Sequence, residues 1–396
     1  MTLVDLHPQN VELETPKGPE VIFREAKQRQ LRRRLAVGAT AILVAGSLAT
    51  VGSVLASGTG TPPPPAARVP SAHPAGTTGF RWQRVVTASA PSVRVDAPAA
   101  YDPATHQLVL IGGTRVVQPT TASPPETFTS LGDTWVFAHN DWSKMISGPT
   151  PPVGTHPDVL AYDAARSALI LVTAPAFATG TTRVTRPSTT WSWTGAHWTE
   201  LFGNDPRWGT GTAQLVFDVA TRQLVFVPHP PGPDAYLPNT YVLGTSGWRR
   251  QPKPPRLWEM AYDPVTRRLL GESGPGSLWS WTGKRWQLFE RSVVVHGRER
   301  SWSTATYGAF AGQWVTDGAA REIISFGNTS LTWLGRTWRA IDARMHPAPV
   351  NPQDLTFAYD GAIGGIVAFG GGAGKLIGPR TWITGGNSTW ELVRSR

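Results

Sequence analysis

No cysteine occurs among the 396 residues of this chain. Disulfide bridges, thiolate metal ligands and a cysteine nucleophile are therefore excluded, and any folded part must rely on its apolar core. The nine histidines show no H-x-x-x-H or H-E-x-x-H spacing, and neither a G-x-S-x-G nucleophile motif nor a phosphate-binding loop occurs. These absences predict no metal site, no cofactor and no catalytic residue, so we expect a protein that is not an enzyme.

A pattern recurs six times in the rest of the chain. Each copy has an apolar strand ending in Asp, a short turn, a second apolar strand, a variable stretch and two further strands with an aromatic residue each. The six Asp residues are Asp102, Asp163, Asp218, Asp263, Asp317 and Asp360. One four-stranded sheet cannot cover its own apolar faces, so the copies are expected to pack against one another.

Tryptophan is abundant, with 18 residues, most of them on the third and fourth strands of the copies. This favours packing between neighbouring sheets. In the first copy these strands carry Trp135 and Trp142, and in the sixth we assign Trp382 and Trp390 to them. The repeated Asp is expected to accept backbone N–H groups in its turn. A leader, FRWQRVV at 80–86, is either an extra strand or the remnant of a seventh unit.

The unit AYDPATHQLVLIGG, followed by GDTWVF and DW, resembles the kelch repeat of kelch proteins and galactose-oxidase-like propellers. Tyr101, Gly112, Gly113, Trp135 and Trp142 carry the resemblance in the first copy. It implies an all-β fold, a β-propeller of about six four-stranded blades, with seven possible. The copper site of galactose oxidase needs a tyrosine crosslinked to cysteine, so copper-radical oxidation is excluded here.

The N-terminal part has a different composition. Residues 1–34 are polar and end in a basic run, residues 35–57 contain no charged residue, and residues 58–79 are a linker rich in proline and glycine. The uncharged stretch is long enough for a transmembrane helix, and the basic run places the N-terminus in the cytoplasm. We therefore expect a single-pass cell-membrane protein with an extracytoplasmic propeller over 80–396. Cleavage after Ala56 would instead make it a secreted protein.

In a blade of antiparallel strands, the second-to-third-strand loops and the blade-to-blade loops emerge on the same face. In this chain those are the long connections, so that face is the expected binding face. The candidate binding residues there are Arg115, Arg183, Arg186, Arg298, Arg300, Trp302 and Lys375.

Of the 37 Lys and Arg and the 27 Asp and Glu residues, 30 and 22 lie outside residues 1–57, and this excess of +8 favours acidic partners. The predicted partners are an envelope protein or cell-wall glycan, and the membrane through the N-terminal helix. Nucleic acid is not expected, and no oligomer is required. The main functional hypothesis is a membrane-anchored, protein- or glycan-binding module. The alternatives are an envelope hydrolase or lyase with its site in the propeller loops, and a transmembrane signalling scaffold that uses the 1–34 tail.

Overall fold

The fold is described from a computed structural model. It describes residues 80–117, 127–146, 148–153, 158–177, 184–203, 213–228, 239–273, 277–290, 293–295, 298–300, 313–326, 330–335, 337–341, 355–370, 374–377, 380–383 and 387–394. The predicted tail, transmembrane helix and linker lie outside these residues, and their assignment stays a prediction. Within these ranges, no helix has the length and apolar character needed to cross a membrane.

The described chain consists of β-strands. In order they are β1 (Phe80–Val85), β2 (Ala99–Asp102), β3 (Gln107–Ile111), β4 (Thr114–Val117), β5 (Thr127–Ser130), β6 (Thr134–Ala138), β7 (Asp141–Met145), β8 (Val159–Asp163), β9 (Ala168–Val172), β10 (Ala176–Phe177), β11 (Val184–Arg186), β12 (Thr189–Trp193), β13 (Trp198–Gly203), β14 (Ala213–Asp218), β15 (Gln223–Pro228) and β16 (Thr240–Gly244). They continue with β17 (Gly247–Gln251), β18 (Leu257–Asp263), β19 (Arg268–Ser273), β20 (Ser277–Trp281), β21 (Trp286–Glu290), β22 (Val293–Val295), β23 (Arg298–Arg300), β24 (Gln313–Asp317), β25 (Glu322–Phe326), β26 (Leu331–Trp333), β27 (Thr337–Ala340), β28 (Leu355–Asp360), β29 (Gly365–Gly370), β30 (Gly374–Ile377), β31 (Arg380–Ile383) and β32 (Ser388–Arg394).

These strands form a ring of six four-stranded antiparallel units, which we call blades I to VI. Their strand orders are β2-β3-β6-β7, β8-β9-β12-β13, β14-β15-β16-β17, β18-β19-β20-β21, β24-β25-β26-β27 and β28-β29-β32-β1. The first strand of each blade contacts the first strand of the next, and β28 of blade VI contacts β2 of blade I. The predicted all-β propeller is therefore confirmed, and it has six blades.

Blade VI differs from the prediction. The leader strand β1 pairs with β32, with Phe80 opposite Arg394, and so completes blade VI as its fourth strand. Trp390 consequently lies on the third strand, whereas Trp382 lies on β31, which pairs with β30 outside the blade. Our assignment of Trp382 and Trp390 to the third and fourth strands is wrong. The cause is that the two ends of the chain share this blade, and a sequence-local pattern cannot report such a pairing.

Several long connections contain strands of their own. The hairpins β4–β5, β10–β11 and β30–β31 extend the second-to-third-strand connections of blades I, II and VI. A fourth hairpin, β22–β23, joins blade V through a parallel pairing of β22 with β27. The variable length between copies is therefore partly ordered as hairpins around one face.

The repeated Asp has the predicted structural role. Asp102 accepts a hydrogen bond from the backbone N–H of Ala104 at 3.0 Å and one from the Thr105 hydroxyl at 2.9 Å. Four of the other five accept the backbone N–H of the residue two positions ahead in the same way, and Asp317 accepts that of Ala320, three positions ahead. The residue four positions after each Asp has a left-handed backbone, with φ between 53° and 65°: His106, Ser167, Arg222, Arg267, Arg321 and Gly364. The local sequence thus builds the same turn six times.

Tryptophan indoles join neighbouring blades. The fourth-strand Trp198 of blade II is 3% exposed and donates to the Thr134 hydroxyl of blade I at 2.9 Å. Equivalent bonds run from Trp142 to Thr389, from Trp248 to Thr190 and from Trp286 to Thr240. These hydrogen bonds are buried at three of the seams and partly buried at the Trp248 seam, where indole area also lies between blades, so the predicted packing role of these tryptophans is confirmed.

Candidate active site

The central channel has two different mouths. Each first strand runs from the face with the long connections, the loop face, to the face with the Asp turns, the turn face. Four residues before each turn Asp, at the loop-face mouth, stand Pro98, Val159, Gln214, Glu259, Gln313 and Thr356. Their side chains are all at least partly exposed. Glu259 of blade IV is the one acid at this level of the ring.

A second acidic residue, Glu272, lies on the strand next to that of Glu259. In the β18–β19 pair, Glu272 stands opposite Glu259, so both side chains point to the same side of the sheet. The residues that occupy this second-strand position in the other five blades are all apolar: Ile111, Val172, Val227, Phe326 and Phe369. Blade IV therefore carries a carboxyl group in a position that the fold otherwise uses for its core.

The environment of Glu272 favours its neutral form. The residue is 5% exposed, and its Oε2 atom has no hydrogen-bond partner within the part of the chain that the structure describes. Burial raises the pKa of the Glu272 carboxyl well above its ordinary value of 4.5, and the charge of Glu259 raises it further. The two carboxyl groups thus form a pair that holds a proton more firmly than an isolated glutamate does.

A β-bulge shapes the same edge of the channel. The register passes from Leu257 opposite Ser273 directly to Glu259 opposite Glu272, which leaves Trp258 as the extra residue. Bulges commonly occur beside active sites, where they redirect a side chain. Here the indole of Trp258 is 43% exposed, and the Arg256 guanidinium lies 5.2 Å from its ring centre.

Blade III contributes an amide to this edge. The Gln214 Nε2 atom donates to Glu259 Oε2 at 3.2 Å and approaches the Trp258 carbonyl oxygen at 3.5 Å. One polar side chain therefore connects the bulge and the exposed carboxylate. Gln214, Trp258, Glu259 and Glu272 together are the candidate site.

No family model matches this chain. No curated protein matches it either. Among solved structures, it is similar to a gluconolactonase from Xanthomonas campestris, at 14% identity, 82% coverage of this chain, 94% coverage of that chain and a TM-score of 0.47. It is also similar to the soluble aldose sugar dehydrogenase of Escherichia coli, at 12% identity, 80% coverage of this chain, 100% of that chain and a TM-score of 0.47. Structural similarity at such low sequence identity concerns the propeller fold alone.

Two sequence-based predictions need correction. The similar structures are described as a gluconolactonase and a sugar dehydrogenase, not as kelch proteins, so the kelch and galactose-oxidase resemblance extends only to a propeller architecture. The same descriptions overturn the prediction that the chain is not an enzyme. That prediction depended on missing sequence motifs, and a site assembled from separate strands of a propeller has no such motif.

The predicted loop-face residues are distributed over four hairpins. Arg115 lies exposed on β4 of blade I and Lys375 lies on β30 of blade VI, while Arg298 and Arg300 lie on β23 beside blade V. Arg183 and Trp302 fall outside the described residues. The role of this set as a binding surface stays a prediction.

Arg186 on β11 is half-buried. Burial lowers the pKa of its guanidinium, and the nearby Asp158 carboxylate acts in the opposite direction. The Asp158 Oδ1 atom in turn accepts the backbone N–H of Ala174 at 2.7 Å. The Arg186 Nη2 atom approaches the Ala174 carbonyl oxygen at 3.4 Å, which connects β11 to the segment that follows β9.

Asp133, another acidic residue near the loop face, has a structural role. Arg94 is 2% exposed, and its two terminal nitrogens donate to the Asp133 carboxylate at 2.7 and 3.1 Å. Burial by itself raises the pKa of Asp133, but the hydrogen bonds and charge of Arg94 lower it overall. Asp133 borders a cavity of about 370 Å³ between blades I and II, also lined by Lys144 and Trp198. Because its carboxylate is already paired with Arg94, we assign no chemistry to this cavity.

The acid pair was missed at the sequence level, although its signal is present. The fourth copy reads WEMAYD followed by RRLLGES, so a charged residue interrupts each of its two apolar strands. Aligning the six copies strand by strand exposes both glutamates as exceptions. Within the described ranges, no group of three His, Cys, Asp or Glu residues converges as a metal site.

Proposed function

We propose that this chain is a hydrolase, with Glu259 as its catalytic group and Glu272 as the positioning residue behind it. The observation that supports this most is the carboxyl of Glu272 in a buried position that is apolar in the five other blades. Burial of a carboxyl oxygen without a hydrogen-bond partner, as for Glu272 Oε2 within the described residues, lowers stability, and groups with perturbed pKa values concentrate at functional sites. Its position next to an exposed glutamate at a channel mouth fits that pattern.

The chemistry follows from which carboxyl can meet a substrate. Glu259 is partly exposed in the channel mouth, whereas Glu272 is buried. Glu259 would remove a proton from a water molecule as the water oxygen bonds to an acyl carbon. When the carbon–oxygen bond to the leaving group breaks, Glu259 would return that proton to the leaving oxygen. Burial raises the pKa of Glu272, which favours one negative charge on the pair over two.

A single exposed carboxylate favours an ester or lactone over a glycoside. Glycoside hydrolysis commonly requires two carboxyl groups that flank the bond, one of which protonates the leaving group. Glu272 is too deeply buried to reach a leaving group. The exposed indole of Trp258 offers an apolar face to a ring, and the Gln214 amide can hydrogen-bond to hydroxyl groups. We therefore propose a neutral carbohydrate ester or lactone as the substrate class.

The purified full chain is incubated with a panel of sugar lactones and acetylated sugars. Hydrolysis is measured as the release of acid at constant pH. Gluconolactone is included because a propeller of similar fold is described as a gluconolactonase. We expect turnover of at least one compound. Glu259→Gln should lower kcat by roughly 10²–10⁴-fold, the usual contribution of a general base.

The matched control is Glu290→Gln, which makes the same change at an exposed glutamate of the same blade, outside the mouth. It should retain full activity. Glu272→Gln keeps a neutral group behind Glu259 and should change the pH profile more than the maximal rate. Absence of turnover across the panel, or full activity in Glu259→Gln, would overturn the proposal.

A further inference from the structure

The turns of neighbouring blades form one continuous surface on the turn face. A Cβ atom added to Gly283, in the third-to-fourth-strand turn of blade IV, would lie 3.1 Å from Thr221 in the Asp turn of blade III. A Cβ atom added to Gly335 of blade V would lie 3.0 Å from Val265 of blade IV. The third-to-fourth-strand turns of blades IV and V therefore pack against the Asp turns of blades III and IV.

This surface is positively charged. Across the described turns of blades III to V, no residue is Asp or Glu, apart from the repeated Asp residues that begin the Asp turns. Those six are at most 3% exposed, and their carboxylates bind the turns themselves. Exposed basic residues lie on three adjacent blades: Arg222, Arg267, Lys284, Arg285 and Arg321. The acidic groups are thus inside the turns and the basic groups outside.

Apolar side chains project between these charges. Val219 is 53% exposed, Val265 50% and Leu334 48%, on blades III, IV and V. Each stands in a turn of the basic sector, within a few residues of a basic residue in sequence. Basic groups interspersed with apolar side chains are typical of surfaces that bind the headgroup region of anionic membranes.

The chain also enters the propeller on this face. β32 begins opposite Gly370 at the loop face and ends with Arg394 at the turn face, where Phe80 is its partner. Phe80 packs with Val315 and Ile324 of blade V, beside the basic sector. Residues 1–79, which include the uncharged stretch 35–57, precede Phe80 directly. A membrane anchor in that stretch would hold the turn face toward the lipid.

We infer that the turn face of blades III to V docks on the anionic headgroups of the membrane, with Val219, Val265 and Leu334 at the headgroup boundary. Positive charge, exposed apolar side chains and the attachment of the N-terminal chain point to the same surface. In this orientation, the mouth that holds Glu259 faces away from the membrane.

The absence of cysteine makes a direct test possible. Val265→Cys on the turn face and Val86→Cys at the opposite end of β1 are labelled with the same environment-sensitive dye. Val86 is 89% exposed, so both labels start in water. The full chain is reconstituted into vesicles of phosphatidylcholine alone or with phosphatidylglycerol, with spin-labelled lipid as quencher.

We expect quenching of the Val265 label at least threefold stronger than that of the Val86 label, and only in the anionic vesicles. The double variant Arg222→Gln/Lys284→Gln should remove most of this difference. Arg249→Gln/Arg250→Gln, which removes two exposed charges on β17 outside the turns, should leave it unchanged. Equal quenching at both labels, no quenching at Val265, or quenching that ignores lipid charge would each overturn the inference.

Discussion

The burial of a single residue, Glu272, makes the stability of this propeller depend on pH. Its carboxyl is neutral in the folded state over a wider pH range than in the unfolded chain, because burial and then Glu259 raise its pKa above 4.5. The folded state therefore binds the proton more tightly than the unfolded state does. By linkage, stability falls as pH rises from the unfolded pKa toward the folded one. Below about pH 4, where both states are protonated, this loss is absent.

We predict that Glu272→Gln is more stable than the native chain at pH 8, and that this advantage shrinks toward pH 4. Gln keeps the shape and neutrality of the protonated carboxyl and does not titrate. The measurement is thermal unfolding of both proteins at one-unit pH steps. Other carboxyls with raised pKa values, such as Asp218, Asp360 and Glu391, are common to both proteins and cancel in the difference.

Glu290→Gln is again the matched control, because it makes the same substitution at an exposed glutamate of the same blade. A constant difference between Glu272→Gln and the native protein from pH 4 to 8 would show that Glu272 titrates normally in the folded state. The proposed division of roles between the two glutamates would then lose its electrostatic basis.

Among the structural elements, a tryptophan–threonine hydrogen bond connects neighbouring blades at four of the six seams. Trp198→Ala should lower the free energy of unfolding by about 3–5 kcal/mol, since it empties a buried indole volume at the seam of blades I and II. Thr134→Val keeps the volume but leaves the Trp198 N–H without its acceptor, so a loss of about 1–3 kcal/mol is expected.

Trp258→Ala is the comparison for these seam variants, because that indole is 43% exposed and should contribute within about 0.5 kcal/mol of zero. Denaturant unfolding of the three variants checks the order. A Trp198→Ala loss no larger than that of Trp258→Ala would mean that the seam is held by other contacts.

Elements also mark where sequence reasoning succeeds and fails. The Asp turns are predictable because Asp102 and its equivalents bond to residues two or three positions away. The packing of Trp198 between two blades is predictable, since a large apolar residue recurs at a fixed place in each copy. The acid pair is visible only when Glu259 and Glu272 are placed in register, 13 residues apart along a strand and its return. Within the described residues, the β22–β23 hairpin has no counterpart between the other blades, so the repeat cannot predict it.

In the whole molecule, the pairing that closes the ring joins the first and last strands of the propeller. β1 completes blade VI, and Trp82 packs against Phe326 of blade V and Phe357 of blade VI, at ring-centre distances of 5.6 and 5.8 Å. The ring therefore closes through a contact between the first and last strands of the propeller. This is also why the leader could not be assigned from its own sequence.

Closing this seam covalently should stabilise the whole ring. Gln83 and Glu391 stand directly opposite on β1 and β32, so Gln83→Cys/Glu391→Cys places two thiols within the range of a disulfide, in a chain with no competing cysteine. Because the bridge restricts almost the entire propeller in the unfolded state, we expect a gain of about 2–4 kcal/mol in the oxidised form. The gain should vanish when reductant is added, and neither single variant should show it. Thiols that remain free under oxidising conditions would mean that β1 is not the closing strand, whereas a bridge that forms without raising the unfolding temperature would mean that opening this seam does not limit unfolding.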